Sequence, residues 1–305
     1  MVSIVSRTST SFMRINAPVR AVVTSVGKNV AWIVLESETL ARVATLKRST
    51  GKREMLVPGD LVLARVLEDD KAVVDSVEPR RSILVRRSGE RTKTMAANID
   101  TIAAVTALAD PTPRLVLLDQ LLAFAEFESL QSLVLFTKPD LVSPESASQL
   151  ERLYSGLGYQ TLTVNPKAGL NVEALKETLA TRHAMLAGVS GVGKSSIFKA
   201  LGGESLVGAV SRHGLGKQTT TTSRLYRTPE GFLIDSPGVS EFGLGPVTAS
   251  ELAQAFREMR VPAGRCRFND CSHRHEPGCA VRSAVEAGEI ARSRYESYCY
   301  ILPRT

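Results

Sequence analysis

Gly188-Val-Ser-Gly-Val-Gly193-Lys194-Ser195 fits the pattern GxxxxGK[ST]. It stands between an apolar stretch, Met185-Leu-Ala187, and a helical one, Ser196-Ile-Phe-Lys-Ala-Leu201. That strand, loop and helix setting is what a phosphate-binding loop requires. Glycines let successive backbone N–H groups turn inward around phosphates at a helix N-terminus. Gly188, Val189, Ser190, Gly191, Val192, Gly193 and Ser196 are therefore expected to line the phosphates. Lys194 is expected to reach the β- and γ-phosphates, and the Ser195 hydroxyl to ligate Mg²⁺.

Working outward toward the C-terminus, Asp235-Ser-Pro-Gly238 follows the apolar strand Phe232-Leu-Ile234. A DxxG at a strand end brings a carboxylate near the Mg²⁺ and a glycine amide near the γ-phosphate. Between the two motifs lies Gly214-Leu-Gly-Lys-Gln-Thr-Thr-Thr-Thr222, rich in hydroxyls. A switch loop of this kind offers a Thr to Mg²⁺ and orders only while the γ-phosphate remains. Of its four threonines, Thr220 is the expected ligand.

Toward the N-terminus, Thr137-Lys138-Pro139-Asp140 follows the apolar run Leu133 to Phe136 and has the form [NT]KxD. A carboxylate here can accept hydrogen bonds from both N1–H and the exocyclic amino group of guanine, a pattern adenine lacks. The lysine stem can lie over the base. Asn165-Pro166-Lys167 follows another strand, Thr161 to Val164, where GTPases usually carry Ser-Ala-Lys. It is expected to meet guanine through backbone amides. The base motifs thus precede the phosphate loop, the reverse of the ordinary GTPase order. Circular permutation preserves a site that depends on juxtaposition in space.

The rest of the 305 residues frames this domain. Residues from Pro18 to Pro79 read as five short strands with turn signals between them, which suits a small closed barrel, an OB-fold being the natural candidate. The expected division is a disordered tail at 1–16, an OB-fold at 17–88, the permuted GTPase domain at 89–246 and a helical zinc-binding domain at 247–305. In the GTPase domain, helices are expected at 115–128, 144–154 and 171–182, and strands at 102–105, 133–136 and 185–187. After Pro246 a capping box, Thr248 with Glu251, predicts a helix running through Met259, and a final helical stretch starts at Ala280. The apolar runs are too short for a membrane span, and Met1 to Asn16 lacks the apolar core of a secretory signal; a cytosolic monomer is expected.

Net charge is +7, and its distribution is uneven. Arg80, Arg81, Arg86, Arg87, Arg91 and Lys93 crowd a stretch whose one acid is Glu90, and arginines outnumber acids near the C-terminus. A polyanionic partner is plausible. Cys266, Cys271 and Cys279 cluster with His273 and His275. Three thiolates and one imidazole make the donor set of a closed, structural Zn²⁺ site.

With the permuted order, a preceding barrel and a following Cys/His cluster, the chain resembles the ribosome small-subunit-dependent GTPases of the RsgA/YjeQ type. Val57-Pro-Gly-Asp60, Ala96-Ala-Asn-Ile-Asp100 and Asp235-Ser-Pro-Gly-Val-Ser-Glu-Phe-Gly243 carry the likeness further. The resemblance implies GTP hydrolysis stimulated by the small ribosomal subunit, rRNA contact and a role late in subunit maturation. The family pattern CxHxxEPxC implies His273, not His275, as the fourth zinc ligand. Thr137 stands where Asn is commoner, and Asn165-Pro166 where Ser-Ala is usual. Gln218 stands where the family usually has His. Val239 cannot orient a water as the Gln of many GTPases does, so Gln218 is expected to take that task beside Lys194, Thr220 and Asp235. Release of the γ-phosphate is expected to reorient the zinc region. A metabolic P-loop kinase and a non-enzymatic RNA-binding protein are the competing readings; Asp140 argues against the first, and Lys194, Ser195 and Asp235 against the second.

Overall fold

A computed structural model describes residues 17–27, 30–36, 41–46, 55–67, 71–88, 91–202, 224–235, 244 and 246–303. Strands β1 (Val19–Val26), β2 (Ala31–Leu35), β3 (Ala41–Leu46), β4 (Leu61–Val66) and β5 (Lys71–Val77) close into a barrel in the order β1-β2-β3-β5-β4. β3 and β5 run parallel; the other pairs, including β4 with β1, are antiparallel. This is the OB arrangement. Closure leaves no sheet edge unpaired, and Val23, Ile33, Ala44, Val62 and Val74 fill the interior.

The basic segment after the barrel, which the sequence marks only by its charge, forms a hairpin. β6 (Ile83–Ser88) pairs antiparallel with β7 (Arg91–Ala97), straddling the boundary expected at 88/89. Two of the family-like stretches meet at its base. Asn98, in left-handed conformation at φ 58°, donates to the Gly59 carbonyl at 2.9 Å and accepts from the Arg81 amide at 2.8 Å. The Asp60 carboxylate, fully buried, takes the Arg80 guanidinium at 2.7 Å and the Val57 amide at 2.8 Å. A buried charge is tolerable only when paired in this way.

Beyond this joint runs a six-stranded sheet. Its strands are β8 (Thr101–Ala107), β9 (Gln131–Thr137), β10 (Gln160–Val164), β11 (His183–Ala187), β12 (Arg224–Arg227) and β13 (Phe232–Asp235), in the order β10-β9-β8-β11-β13-β12. β12, an edge strand absent from the sequence expectation, is antiparallel to β13; the other neighbours are parallel. Both faces are covered, so the central strands are near-continuous apolar runs. Ile102, Val134, Phe136 and Met185 face helices α1 (Leu115–Phe127) and α2 (Pro144–Gly156). Ala103, Leu133, Leu135 and Leu186 face α3 (Val172–Leu179) and α4 (Lys194–Ala200). Ser143 caps α2 by accepting from the Ser146 amide, with Pro144 at the first helical position, as expected.

The C-terminal module departs from the sequence expectation at two points. The capping box of Thr248 and Glu251 is present, but the helix it opens, α5 (Ala249–Ala255), stops short of Met259. Phe256 turns extended (φ −98°, ψ 105°), which buries its ring edge-on against Tyr298 at 5.7 Å. A 3₁₀ turn (Arg257–Met259) and the short α6 (Arg260–Ala263) follow. The final helical stretch is two helices, α7 (Ala280–Glu286) and α8 (Arg292–Ile301). Between them Gly288 adopts a left-handed φ of 77°, which ends a helix at little cost only in glycine.

The C-terminal module shares its core with the sheet domain, since Ala123 of α1 packs among Leu252, Phe256, Met259 and Tyr298. At that contact Arg294, 1% exposed, sits between two acids. It meets Asp119 of α1 at 2.5 Å and Glu258 at 2.7 Å, and its guanidinium lies 4.4 Å over the Phe256 ring. Tyr154 of α2 also donates to Asp119 at 2.7 Å. Burial works against the cation, but the two carboxylates hold its pKa above the ordinary arginine value. Arg294→Met would strand both carboxylates, and breaking a buried pair in this way costs about 3–5 kcal/mol. Urea unfolding of that variant is expected to show a loss of this size; a variant as stable as the parent would show that the network contributes nothing.

Candidate nucleotide-binding site and metal centre

The parallel strands end at one edge of the sheet, and the predicted motifs leave from those ends. The loop after β11 runs Gly188 to Gly193 into α4. A Cβ on Gly188 would lie 2.4 Å from the Val105 carbonyl oxygen, so only glycine lets the loop leave β11 this close to β8. Gly193 enters α4 at φ 97°, a conformation that disfavours any other residue. The Lys194 ammonium folds back on the loop, donating to the Gly188 and Val189 carbonyls at 2.7 and 2.8 Å. Burial lowers its pKa, while the Asp235 carboxylate at the end of β13 opposes the fall. Ser195 and Ser196 occupy the first turn of α4. Gln218, Thr220 and Gly238 lie outside the described residues, as does Val239.

Thr137 ends β9 and is 1% exposed. Its hydroxyl donates to the Val192 carbonyl of the phosphate loop at 2.6 Å, tying the base strand to the phosphate strand two positions away in the sheet. Lys138 turns left-handed at φ 57°, and its ammonium donates to the Asp110 carbonyl in the loop after β8. Asp110 thus steadies the lysine whose stem would flank a base, a role that a backbone carbonyl gives no sequence signal for.

Asp140 is exposed at the mouth of this edge and accepts from the Asn165 carboxamide at 2.8 Å. The backbone amides expected to meet guanine are engaged. The Asn165 amide pairs with the Leu170 carbonyl at 3.1 Å, Pro166 has no N–H, and the Lys167 amide donates to the Asn165 side-chain oxygen at 3.2 Å. What this loop turns toward the aspartate is the Asn165 side chain.

In the C-terminal module Cys266, Cys271, His273 and Cys279 bring their ligand atoms within 4.8 Å of one another. The Cys266 and Cys279 sulfurs stand 3.9 Å apart, and His273 Nδ1 lies 3.4 and 3.5 Å from them. Ligands about 2.3 Å from a tetrahedral metal would be separated by about 3.8 Å, so the cluster fits one zinc ion with no open position. His275 is exposed and outside the cluster. The shell around the ligands is built to hold them. Tyr295 donates to the His273 carbonyl at 2.7 Å and Tyr298 to the Ser272 carbonyl at 3.1 Å. Glu276, whose function the pattern CxHxxEPxC left unassigned, accepts the Ser272, Arg274 and His275 amides at 2.7, 3.2 and 3.2 Å. Burial pushes its pKa up, but Ser272 and these amide donors hold it well below the usual carboxylate range.

The fold and the site define a circularly permuted P-loop GTPase with an OB barrel before it and a Cys₃His module after it. Comparisons with known proteins give the family. A family model described as RsgA GTPase matches residues 77–245. The small ribosomal subunit biogenesis GTPase RsgA of Haemophilus influenzae strain 86-028NP is 40% identical over 255 residues, covering 80% of this chain and 73% of the relative. Its namesake in Chromohalobacter salexigens is 42% identical over 257 residues, covering 82% and 75%. The crystal structure of YjeQ from Thermotoga maritima matches with a TM-score of 0.71 at 30% identity, over 94% of this chain and 100% of that one. YloQ, a circularly permuted GTPase, matches in fold with a TM-score of 0.67 at 23% identity, over 96% and 99%. The chain belongs to the RsgA GTPase family and is a GTP-hydrolysing P-loop enzyme.

Substitutions at Thr137 and Cys271 test the site. Thr137→Val would leave the Val192 carbonyl buried without its donor, a loss of about 1–3 kcal/mol. Lower thermal stability and weaker GDP binding are expected, while Thr137→Asn, which restores a donor, should recover both. Valine behaving as the parent would remove the link between β9 and the phosphate loop. For the metal, metal analysis of protein purified without chelators should give one zinc per chain. Cys271→Ala should lose it and unfold the C-terminal module, because ligand binding energy is folding energy in such sites.

Proposed function

We propose that this chain binds the small ribosomal subunit and its rRNA, acts late in subunit maturation in the cytoplasm, and works as a monomer whose GTP hydrolysis the subunit stimulates. The relatives' name supplies the ribosomal assignment. The observation in this chain that supports it is the joining of three parts around one nucleotide edge. An OB barrel and a basic hairpin precede the GTPase sheet, and an arginine-bearing zinc module is fused to its helix α1. Such basic elements hold RNA by phosphate contacts. No helix among the described residues is long and apolar enough to cross a membrane.

In this reading Asp140 accepts the guanine edge with Lys138 and Pro139 around it, and Lys194 with Gly188–Ser196 holds the phosphates. Ser195 and Thr220 ligate Mg²⁺, and Asp235 and Gly238 sense the γ-phosphate. Gln218 positions the attacking water. The expected domain limits of 17–88, 89–246 and 247–305 stand as part of the proposal. The GTP form binds the subunit more tightly than the GDP form, and by reciprocity the subunit favours the GTP form.

The test is single-turnover GTP hydrolysis with and without purified small subunits. A large acceleration is expected, lost in Ser195→Ala and reduced in Gln218→Ala with GTP binding retained. Equal rates with and without subunits would refute the assignment, while an accelerated Gln218→Ala would remove only that residue's role.

A further inference from the structure

Asn165 stands where a small hydroxyl residue is usual in GTPases, and the structure gives its side chain a defined task. Its carboxamide oxygen accepts the Lys167 and Ala168 amides at 3.2 and 3.3 Å. Its backbone N–H and carbonyl pair with Leu170 on both sides, each at 3.1 Å. With the oxygen pinned from behind and the backbone held, the amide nitrogen has one direction left, and it donates to Asp140 Oδ1 at 2.8 Å. Asp140 itself lies on a single 3₁₀ turn, Pro139–Leu141, with an exposed side chain. Among the described residues, the Asn165 carboxamide is the hydrogen-bond partner of its carboxylate. Meanwhile the triplet's own N–H groups are spent within the loop or, at Pro166, missing.

We propose that Asn165 is a positioning residue for guanine selection: it fixes the plane of the Asp140 carboxylate so that both oxygens face the base edge together. This rests on the reading of Asp140 as the guanine acceptor. Each carboxylate oxygen has more than one lone pair, so the bond from Asn165 orients Oδ1 without removing it as an acceptor. Being neutral, the carboxamide supplies this orientation without adding a charge that would compete with the base.

The distinguishing probe is inosine diphosphate, whose base lacks the exocyclic amino group and offers only N1–H. The ratio of GDP to IDP affinity reads the second hydrogen bond, which needs an aligned carboxylate, whereas general damage to the loop weakens both ligands alike. Asn165→Asp is the informative variant, because it keeps the oxygen that caps Lys167 and Ala168 but replaces the donor with a second carboxylate. Its GDP affinity is expected to fall about tenfold or more, with the GDP/IDP ratio collapsing. It should recover as pH falls, since a shared proton restores a donor to the pair. Asn165→Ser, which retains a donor, should stay closer to the parent ratio, and Asn165→Ala should lose it. In an Asp140→Ala background neither change should alter the ratio further. If Asp140→Ala itself leaves the ratio at the parent value, the guanine reading of Asp140 falls and this inference with it. If Asp140→Ala collapses the ratio while Asn165→Asp and Asn165→Ala preserve it, even with both ligands weakened, the positioning role alone is overturned.

Discussion

Five parallel strands that end on one edge impose the constraint from which the rest of this structure follows. Wherever the chain begins, the segments leaving β8, β9, β10, β11 and β13 emerge at that edge. In an open parallel sheet the ligand crevice forms there. The order of motifs along the chain is then free to change, provided the strand order in space does not. What holds the gathered segments in mutual register is local and polar. The Thr137 hydroxyl grips the phosphate loop at Val192, the Asp110 carbonyl takes the Lys138 ammonium, and the Asn165 carboxamide takes Asp140. Each bond joins segments from two different strand ends, and together they tie the ends of β8, β9, β10 and β11 into one unit.

The C-terminal module is bound to this unit through its middle. α1 contributes Ala123 to the module's apolar core and Asp119 to its buried ion network, and Arg257 and Arg260 both meet Glu126 farther along the same helix, at 2.7 and 2.6 Å. A swing of the zinc module independent of α1 would have to break Arg294 from Asp119 in a dry environment. The desolvated charges left behind make that far more costly than moving α1 and the module together. Any movement of the module therefore carries α1 with it. The loop that leads into α1 carries Asp110, whose carbonyl accepts from Lys138, so the segment before that helix is tied to the base motif.

The motifs were legible because each sits at a strand end where chemistry restricts the residue choice. The phosphate loop, DxxG, TKPD and the Cys/His cluster all carry their meaning in fixed spacings, and the barrel and alternating sheet follow from hydrophobic periodicity. What was not legible depends on contacts distant in sequence. Phe256 breaks its helix to reach Tyr298 and Arg294, and no local propensity announces that. β6 and β7 read as a basic stretch because their pairing is set by the Asn98 joint at their base. Thr137 and Asn165 looked like tolerated departures from a motif. Their roles appear only when the Val192 carbonyl and the Asp140 carboxylate are seen beside them. Pro166 was a sign that could have been used, since a residue without N–H cannot supply an amide to a base.

The permutation also decides which parts of the chain abut the nucleotide edge. Cutting the GTPase order between its switch motifs and its base motifs places new termini at β8 and after β13, and the chain attaches a module at each. The barrel enters through the Asn98 joint into β8 and also meets the sheet at its edge strand β12, where Arg227 donates to the Val34 carbonyl of β2 at 3.2 Å. β12 begins at Arg224, directly after the threonine run, and lies antiparallel against β13, which ends in Asp235. Arg227 thus couples β12 to the barrel, and Ala123 and Asp119 couple α1 to the C-terminal module. The two appended domains therefore meet the GTPase sheet at different elements, the barrel at β12 and the C-terminal module at α1, while Val22 of β1 shares an apolar core with Leu118 and Leu122 of α1 and so joins the two sides.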